Sequence, residues 1–253
     1  MSDRPKLTTA YSTLPERVQS IVFPIRREDR EILVLVQNPK ENSYVLEERS
    51  AKLIELRNLG VAKSRNAALE RANGEYLLFG DDDILFNESG ITEALLYLDQ
   101  HPECAIVLAQ ARDNTGALRK DYFSKIQPLK LTNSARAATY ELIVRVDAIK
   151  TKGIKFDENF GAGAENYLGD EYIFIADALR AGLKGIHFPA VIATHPVESS
   201  ASKWGTTSDL RARGMIFNRV FGWRAPLFRA AFLLKSKNPN PGLKKSLRFI
   251  FKP

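Results

Sequence analysis

The stretch Leu-Gly-Val-Ala-Lys-Ser-Arg-Asn-Ala-Ala-Leu-Glu-Arg-Ala-Asn-Gly-Glu-Tyr-Leu-Leu-Phe-Gly-Asp-Asp-Asp, residues 59–83, decides how this chain is read. Its first half has helical composition from Ala62 to Ala72 and stops at Asn73-Gly74, residues that tolerate the left-handed conformation ending a helix. Glu75–Gly80 is then a short apolar run, of the kind found in strands buried on both faces. It leads directly into Asp81-Asp82-Asp83. Ligands of open α/β sheets bind beyond the carboxyl ends of strands, so three carboxylates in that place mark a candidate site. In extended chain Asp81 and Asp83 point the same way. Such a pair can hold Mg2+ or Mn2+ with coordination left over for water and diphosphate oxygens, and the cation then acts as a Lewis acid toward a departing diphosphate. A solvated acidic turn is the competing reading. An EF-hand is not, because Phe86 stands where that loop needs glycine.

Working outward, the alternation of short apolar runs with helical patterns predicts βαβ units and a mainly parallel sheet. Upstream, strands are predicted at Leu7–Thr13, Ile32–Gln37 and Lys52–Leu56, with a short helix at Glu16–Phe23. Downstream, a helix at Ile91–Gln100 and a strand at Ala105–Gln110 precede an irregular, polar stretch from Asp113 to Ala137. A strand at Thr139–Val146, a helix at Asp170–Ala181 and a strand at Gly185–Phe188 follow, the last leading through Pro189 to Thr194-His195-Pro196. Cys104 is the single cysteine, so no intramolecular disulfide framework or thiolate cluster forms, and its apolar neighbours predict a buried strand position. The N-terminus has no apolar core of a secretion signal, and no uncharged apolar run approaches the ~18 residues of a membrane span. A cytoplasmic protein is the expectation.

Charge divides the chain. Residues 201–253 carry twelve lysines and arginines and one acid, Asp209, a net +11 against +7 for all 253 residues; residues 1–200 are left at −4. The tail interleaves arginines with aromatics over residues 213–235 and repeats the theme in Leu243–Phe251. Cations beside Trp, Phe and Leu suit an interfacial helix on anionic lipids, and a helix packed on the preceding domain is the alternative. Nucleic acid would also attract this charge, but no nucleic-acid motif accompanies it. A soft boundary is placed near residue 200, giving a domain over 1–200 and a basic amphipathic extension over 201–253.

The ordered series Leu59–Leu69, Ala72-Asn73-Gly74-Glu75-Tyr76 and Asp81–Asp83 closely resembles family 2 glycosyltransferases of the GT-A fold. The likeness recurs in Phe156-Asp157-Glu158-Asn159-Phe160-Gly161-Ala162-Gly163 and Gly169-Asp170-Glu171, and extends more weakly from Thr9 to His195, covering about residues 6–200. The resemblance implies a Rossmann-like GT-A domain with a mixed, mainly parallel sheet flanked by helices, here followed by a basic helical extension. It implies a metal-dependent, hexosyltransferase-type enzyme that moves a sugar from a nucleotide diphosphate to a hydroxyl by single displacement with inversion; a metal-dependent nucleotidyltransferase, or a non-catalytic membrane- or nucleic-acid-binding module, is the alternative reading of the chain. The acceptor expected is a lipid-linked glycan of bacterial surface polysaccharide synthesis, met at the inner face of the membrane.

Carried over residue by residue, Thr9 and Tyr11 line the nucleoside pocket and Arg65 stands near the nucleotide. Asp81 and Asp82 contact the nucleotide-sugar. Asp81 and Asp83 hold Mn2+ or Mg2+, and His195 is a third metal or diphosphate contact. The family's acid pair is Glu-Asp with the second acid as base; the order here is Asp170-Glu171, so Glu171 aligns with the base and Asp170 is the alternative. The second strand usually ends in aspartates that read the base, whereas this chain has Gln37-Asn38. An amide can still bond a base edge, so UDP is the expected nucleotide and GDP or dTDP remain open.

Overall fold

Strand β1 (Leu7–Thr13) is buried along its length and runs parallel to β2 (Arg30–Gln37) on one side and to β4 (Tyr76–Asp81) on the other. Strand β3 (Lys52–Leu56) extends this parallel set beyond β2. Strand β8 (Leu142–Arg145) lies antiparallel to both β4 and β6 (Cys104–Arg112), and β9 (Lys184–Thr194) returns parallel to β6. Two-residue strands β5 (Leu85–Phe86) and β7 (Gln127–Pro128) pair antiparallel with β9. The main path runs β3-β2-β1-β4-β8-β6-β9-β5, a mixed sheet whose longest ladders are parallel. The computed structural model describes residues 4–196, 204–236, 239 and 241–252, so the boundary expected near residue 200 lies outside the described residues.

Side-chain alternation along β4 explains the layers. Leu77 and Phe79 point to a core shared with α1 (Val61–Arg71), α3 (Val146–Thr151) and α4 (Asp170–Arg180). Tyr76 and Leu78 point to the opposite core, which Ile91, Ala94, Leu95 and Leu98 of α2 (Glu88–Gln100) close. Each large apolar side chain so buried contributes about 1.5–3 kcal/mol, which is why a six-residue strand without polar interruption is pinned at the centre of the sheet.

Two predicted strands differ in the structure. Thr139–Val146 is not one strand: residues Thr139–Glu141 form a 3-10 turn, β8 follows, and α3 begins at Val146. The cause is Glu141, whose buried carboxylate accepts from Ala138 N–H at 3.2 Å and from Lys120 Nζ at 2.6 Å, curling the chain before the sheet begins. Conversely, β9 continues past Pro189. The β6–β9 register shifts between Leu108 and Gln110, and the bulge absorbs a residue that has no N–H to give.

The C-terminal residues form α5 (Thr207–Phe221), α6 (Ala225–Lys235, with Pro226 in its first turn) and α7 (Leu243–Phe251). Helix α5 packs on α4 through Ile216 and Val220, and Arg219 bridges Asp157 and Asp177. Arg213 pairs with Asp209, and buried Arg229 donates to Asn218 Oδ1 at 3.0 Å. Arg229 is directed into the protein, while Arg213 and Arg219 are held by acids nearer the surface. Helix α7 differs: Phe249 is buried against Phe217 and Phe232, while Leu243, Leu247 and Phe251 stay exposed beside Lys244, Lys245 and Arg248. Of the two readings of the tail, packing on the domain describes α5, and an exposed amphipathic face describes α7. Among the described residues no helix is long and apolar enough to cross a membrane.

Candidate active site

The carboxyl ends of β1, β2, β4 and β9 and the N-termini of α1 and α4 surround one cleft of about 700 Å3. Its lining holds five carboxylates (Asp81, Asp82, Asp83, Asp170 and Glu171) and two guanidiniums, Arg17 and Arg65. Arg65 is buried at the centre of this group. It is ion-paired with Asp170 Oδ2, and lies 3.5 Å from both Asp81 Oδ1 and Glu171 Oε1. Burial opposes its charge, but Asp170, Asp81 and Glu171 outweigh it and hold the proton above the ordinary guanidinium range.

The two acids at the start of α4 are unequal. Asp170 is almost fully buried and committed to Arg65. Gly161, with φ +94°, packs so closely on it that a Cβ there would sit 2.8 Å from Asp170 Cγ. Glu171 keeps 21% of its side chain exposed and accepts from Thr139 Oγ1 at 2.8 Å. Burial, then the neighbouring Asp170 charge, push the Glu171 carboxyl up to about 7, with Arg65 pulling the other way. A carboxylate poised near neutrality and open to a cleft is suited to general-base work.

The three strand-end acids also part ways, because β4 ends at Asp81 and the next two residues turn. Asp82 folds inward, accepting from Thr13 Oγ1 at 2.7 Å and pairing with Arg17. Burial raises the Asp81 and Asp82 carboxyls, against the pull of Arg65 on the first and of Thr13 and Arg17 on the second. Asp83 lies 3.4 Å from Arg17 Nη2 and faces His195 Nε2 at 3.8 Å. His195 Nδ1 donates to the Pro196 carbonyl at 2.7 Å, which leaves Nε2 as the ring nitrogen facing Asp83, and the ring stacks on Tyr140.

This donor set fits a hard or borderline divalent cation. Asp83 Oδ1 is buried with no hydrogen-bond partner among the described residues, and His195 Nε2, a possible metal ligand, lies 3.8 Å from it. Five carboxylates against two guanidiniums would repel a diphosphate unless a cation accompanied it. Among the described residues no three His, Cys, Asp or Glu side chains form a ready-made cage, so ligand oxygens or water would complete the coordination, as Mg2+ sites commonly require.

Of the residues singled out from sequence, Gln37, Arg65, Asp81, Asp82, Asp83, Asp170, Glu171 and His195 all line this cleft. Gln37 Oε1 accepts from Gly60 N–H at 2.8 Å. Asn38 is occupied in closing its own loop on Asn42. Thr9 and Tyr11 are not brought to the cleft. Tyr11 is fully buried between Phe23 and Phe86, Thr9 lies deeper in β1, and the strand meets the cleft only at Ser12 and Thr13. Arg17, which no sequence motif marks, also lines the cleft. Its one signal is a lone cation immediately beyond the carboxyl end of the first strand.

The family model described as "Glycosyl transferase family 2" matches residues 10–157. Poly(ribitol-phosphate) beta-N-acetylglucosaminyltransferase TarS of Staphylococcus aureus (strain MW2) is 29% identical over 108 residues, 42% of this chain and 19% of TarS. The chain thus spans about a fifth of the length of that curated relative. Among solved structures, S. aureus TarS 1–349 in complex with UDP-GlcNAc superposes with TM-score 0.58 at 15% identity, covering 97% of this chain and 70% of that one. The mannosyltransferase PcManGT from Pyrobaculum calidifontis, in complex with GDP-Man and Mn2+, gives TM-score 0.59 at 15% identity, covering 98% and 70%. At these identities the likeness is one of fold.

Proposed function

The chain belongs to glycosyl transferase family 2, and from that premise we propose that it moves a sugar from a nucleotide diphosphate to a hydroxyl with inversion, using Glu171 as the base. The observation that carries this reading is the placement of Glu171 in one cleft with Asp81 and Asp83, with Arg65 joining it to Asp81. Glu171 takes the acceptor's hydroxyl proton as the oxygen attacks the anomeric carbon. The bond from that carbon to the diphosphate oxygen breaks on the opposite face, its electron pair leaving with the diphosphate. Asp170 holds Arg65, whose fixed positive charge sits beside the carboxylates. Asp81, Asp83 and His195 are the residues that would hold Mn2+ or Mg2+, which when bound supplies charge stabilisation to the leaving diphosphate. Asp82 and Arg17 brace the turn that presents Asp83.

The UDP and UDP-GlcNAc complexes of TarS support UDP as the donor nucleotide, and the GDP-Man and Mn2+ complex of PcManGT supports a divalent cation and keeps GDP in contention. The name of TarS, a poly(ribitol-phosphate) glycosyltransferase, supports a polymer acceptor. We take that acceptor to be lipid-linked and met at an anionic membrane, because α7 turns Leu243, Leu247 and Phe251 outward with lysine and arginine beside them. The test is diphosphate release from UDP-, GDP- and dTDP-sugars. Release from one donor class with Mn2+, abolished by Glu171→Gln, is the expected result. Equal release by that variant would remove Glu171 from the reaction.

A further inference from the structure

A second cavity, of about 240 Å3, lies between the start of α4 and the C-terminal helices, and it shares Leu168, Gly169 and Glu171 with the main cleft. Glu171 is therefore accessible from two sides. A molecule in the second cavity can present a hydroxyl to the same carboxylate that faces the donor. The wall built by the tail consists of Ile216 and Phe217 from α5 and Phe232 from α6, with Ala135 and Ala137 elsewhere in the lining. Arg213, the one cation there, is held by Asp209. Gly169 sets this junction. Its φ is +94°, and a Cβ would lie 2.3 Å from Ile216 Cδ1, so α5 approaches the acidic end of α4 only because no side chain intervenes.

Such a wall offers few hydrogen-bond partners. A free sugar entering it would surrender water at each hydroxyl without replacement, whereas a hydrocarbon group loses nothing and gains by leaving water. We propose that this cavity is the acceptor subsite and takes an apolar group carried close to the attacked hydroxyl, so that the acceptor is an amphiphile rather than a free sugar. The assignment rests on Glu171 being the base, and it gives the C-terminal helices a part in acceptor choice.

Trp204 supplies a reporter, since its ring lies 5.9 Å from that of Phe232 and 5.3 Å from the Arg213 guanidinium. The full chain carrying Trp223→Phe, which leaves Trp204 as the remaining one of two tryptophans, is titrated with n-octyl β-D-glucopyranoside below its micelle concentration. Methyl β-D-glucopyranoside is titrated in parallel. The expected result is a saturable change in Trp204 emission with the octyl compound alone. Ala135→Leu, which fills the cavity from an exposed position, should raise the apparent Kd by about tenfold or more. Ala137→Leu is a second filling variant, and melting temperatures verify that both are folded. An octyl response unmoved by either filling, or matched by the methyl compound, overturns the assignment. UDP-induced thermal stabilisation, measured on the same samples, separates the two readings. A UDP shift without an octyl response overturns the acceptor subsite alone. An octyl response without a shift from any nucleotide diphosphate overturns the transferase reading, and with it the role given to the cavity.

Discussion

Replacing Glu171 with Gln keeps an acceptor for the Thr139 hydroxyl and removes the proton acceptor. Turnover should fall about 10²–10⁴-fold with donor binding little changed, as loss of a general base does. Asp170→Asn is different in kind. It removes the closest partner of buried Arg65 while Asp81 and Glu171 remain at 3.5 Å, so destabilisation toward the lower end of ~3–5 kcal/mol should accompany any loss of activity; denaturant melts distinguish the two variants. In the wild type the rate should climb as pH rises through about 7, where Glu171 gives up its proton. The same shift acts on stability with the opposite sign to a salt-bridged acid. A carboxyl harder to ionise in the folded state favours folding most at low pH, and that contribution is lost from about pH 4.5 up to about 7. Glu171→Gln should therefore be relatively more stable than wild type at pH 8 than at pH 5. In the sequence, alignment with the family's acid pair puts Glu171 first and keeps Asp170 as the alternative, without a physical ground for the order. That ground comes from burial and from Arg65, a partner of Asp170 more than a hundred residues away. Thr9 and Tyr11 illustrate the complementary limit: alternation says which face a strand residue takes, not how far along the strand the cleft begins.

Elements with uninterrupted patterns were legible. β1 and β3 have the predicted bounds, and α1, β4, α2 and α4 shift by a few residues at their ends. What could not be read was structure imposed by distant contacts, such as the turn before β8 that closes around Glu141, or the two-residue strands β5 and β7 that exist only through pairing with β9. The junction of α4 with α5 makes a testable case. Gly169→Ala meets both a left-handed backbone and Ile216, and should cost about 1–3 kcal/mol in a denaturant melt. At α7 the expectation runs the other way. Leu247 is exposed, so Leu247→Glu should leave the melting temperature within about a degree or two while reducing co-sedimentation with vesicles containing anionic lipid. Unchanged co-sedimentation would remove α7 from any membrane contact.

At the scale of the whole molecule, the acidic body and basic tail seen in the composition take distinct positions. Five of the body's acids meet two guanidiniums at the carboxyl ends of the strands, and the exposed cations of the tail are spread over α5, α6 and α7. A cleft so charged has use for a divalent cation and little affinity for a bare diphosphate. Metal and nucleotide should therefore bind together, each weakly without the other. The most direct test is a thermal-shift panel of UDP, GDP, dTDP and ADP, each with Mn2+ or EDTA, on the wild type and on Asp83→Ala. Stabilisation by mass action with one nucleotide, present with Mn2+, absent with EDTA and absent in Asp83→Ala, is the predicted result. A shift of equal size in EDTA, or one that survives in Asp83→Ala, would contradict a donor site built on the acids at the end of β4.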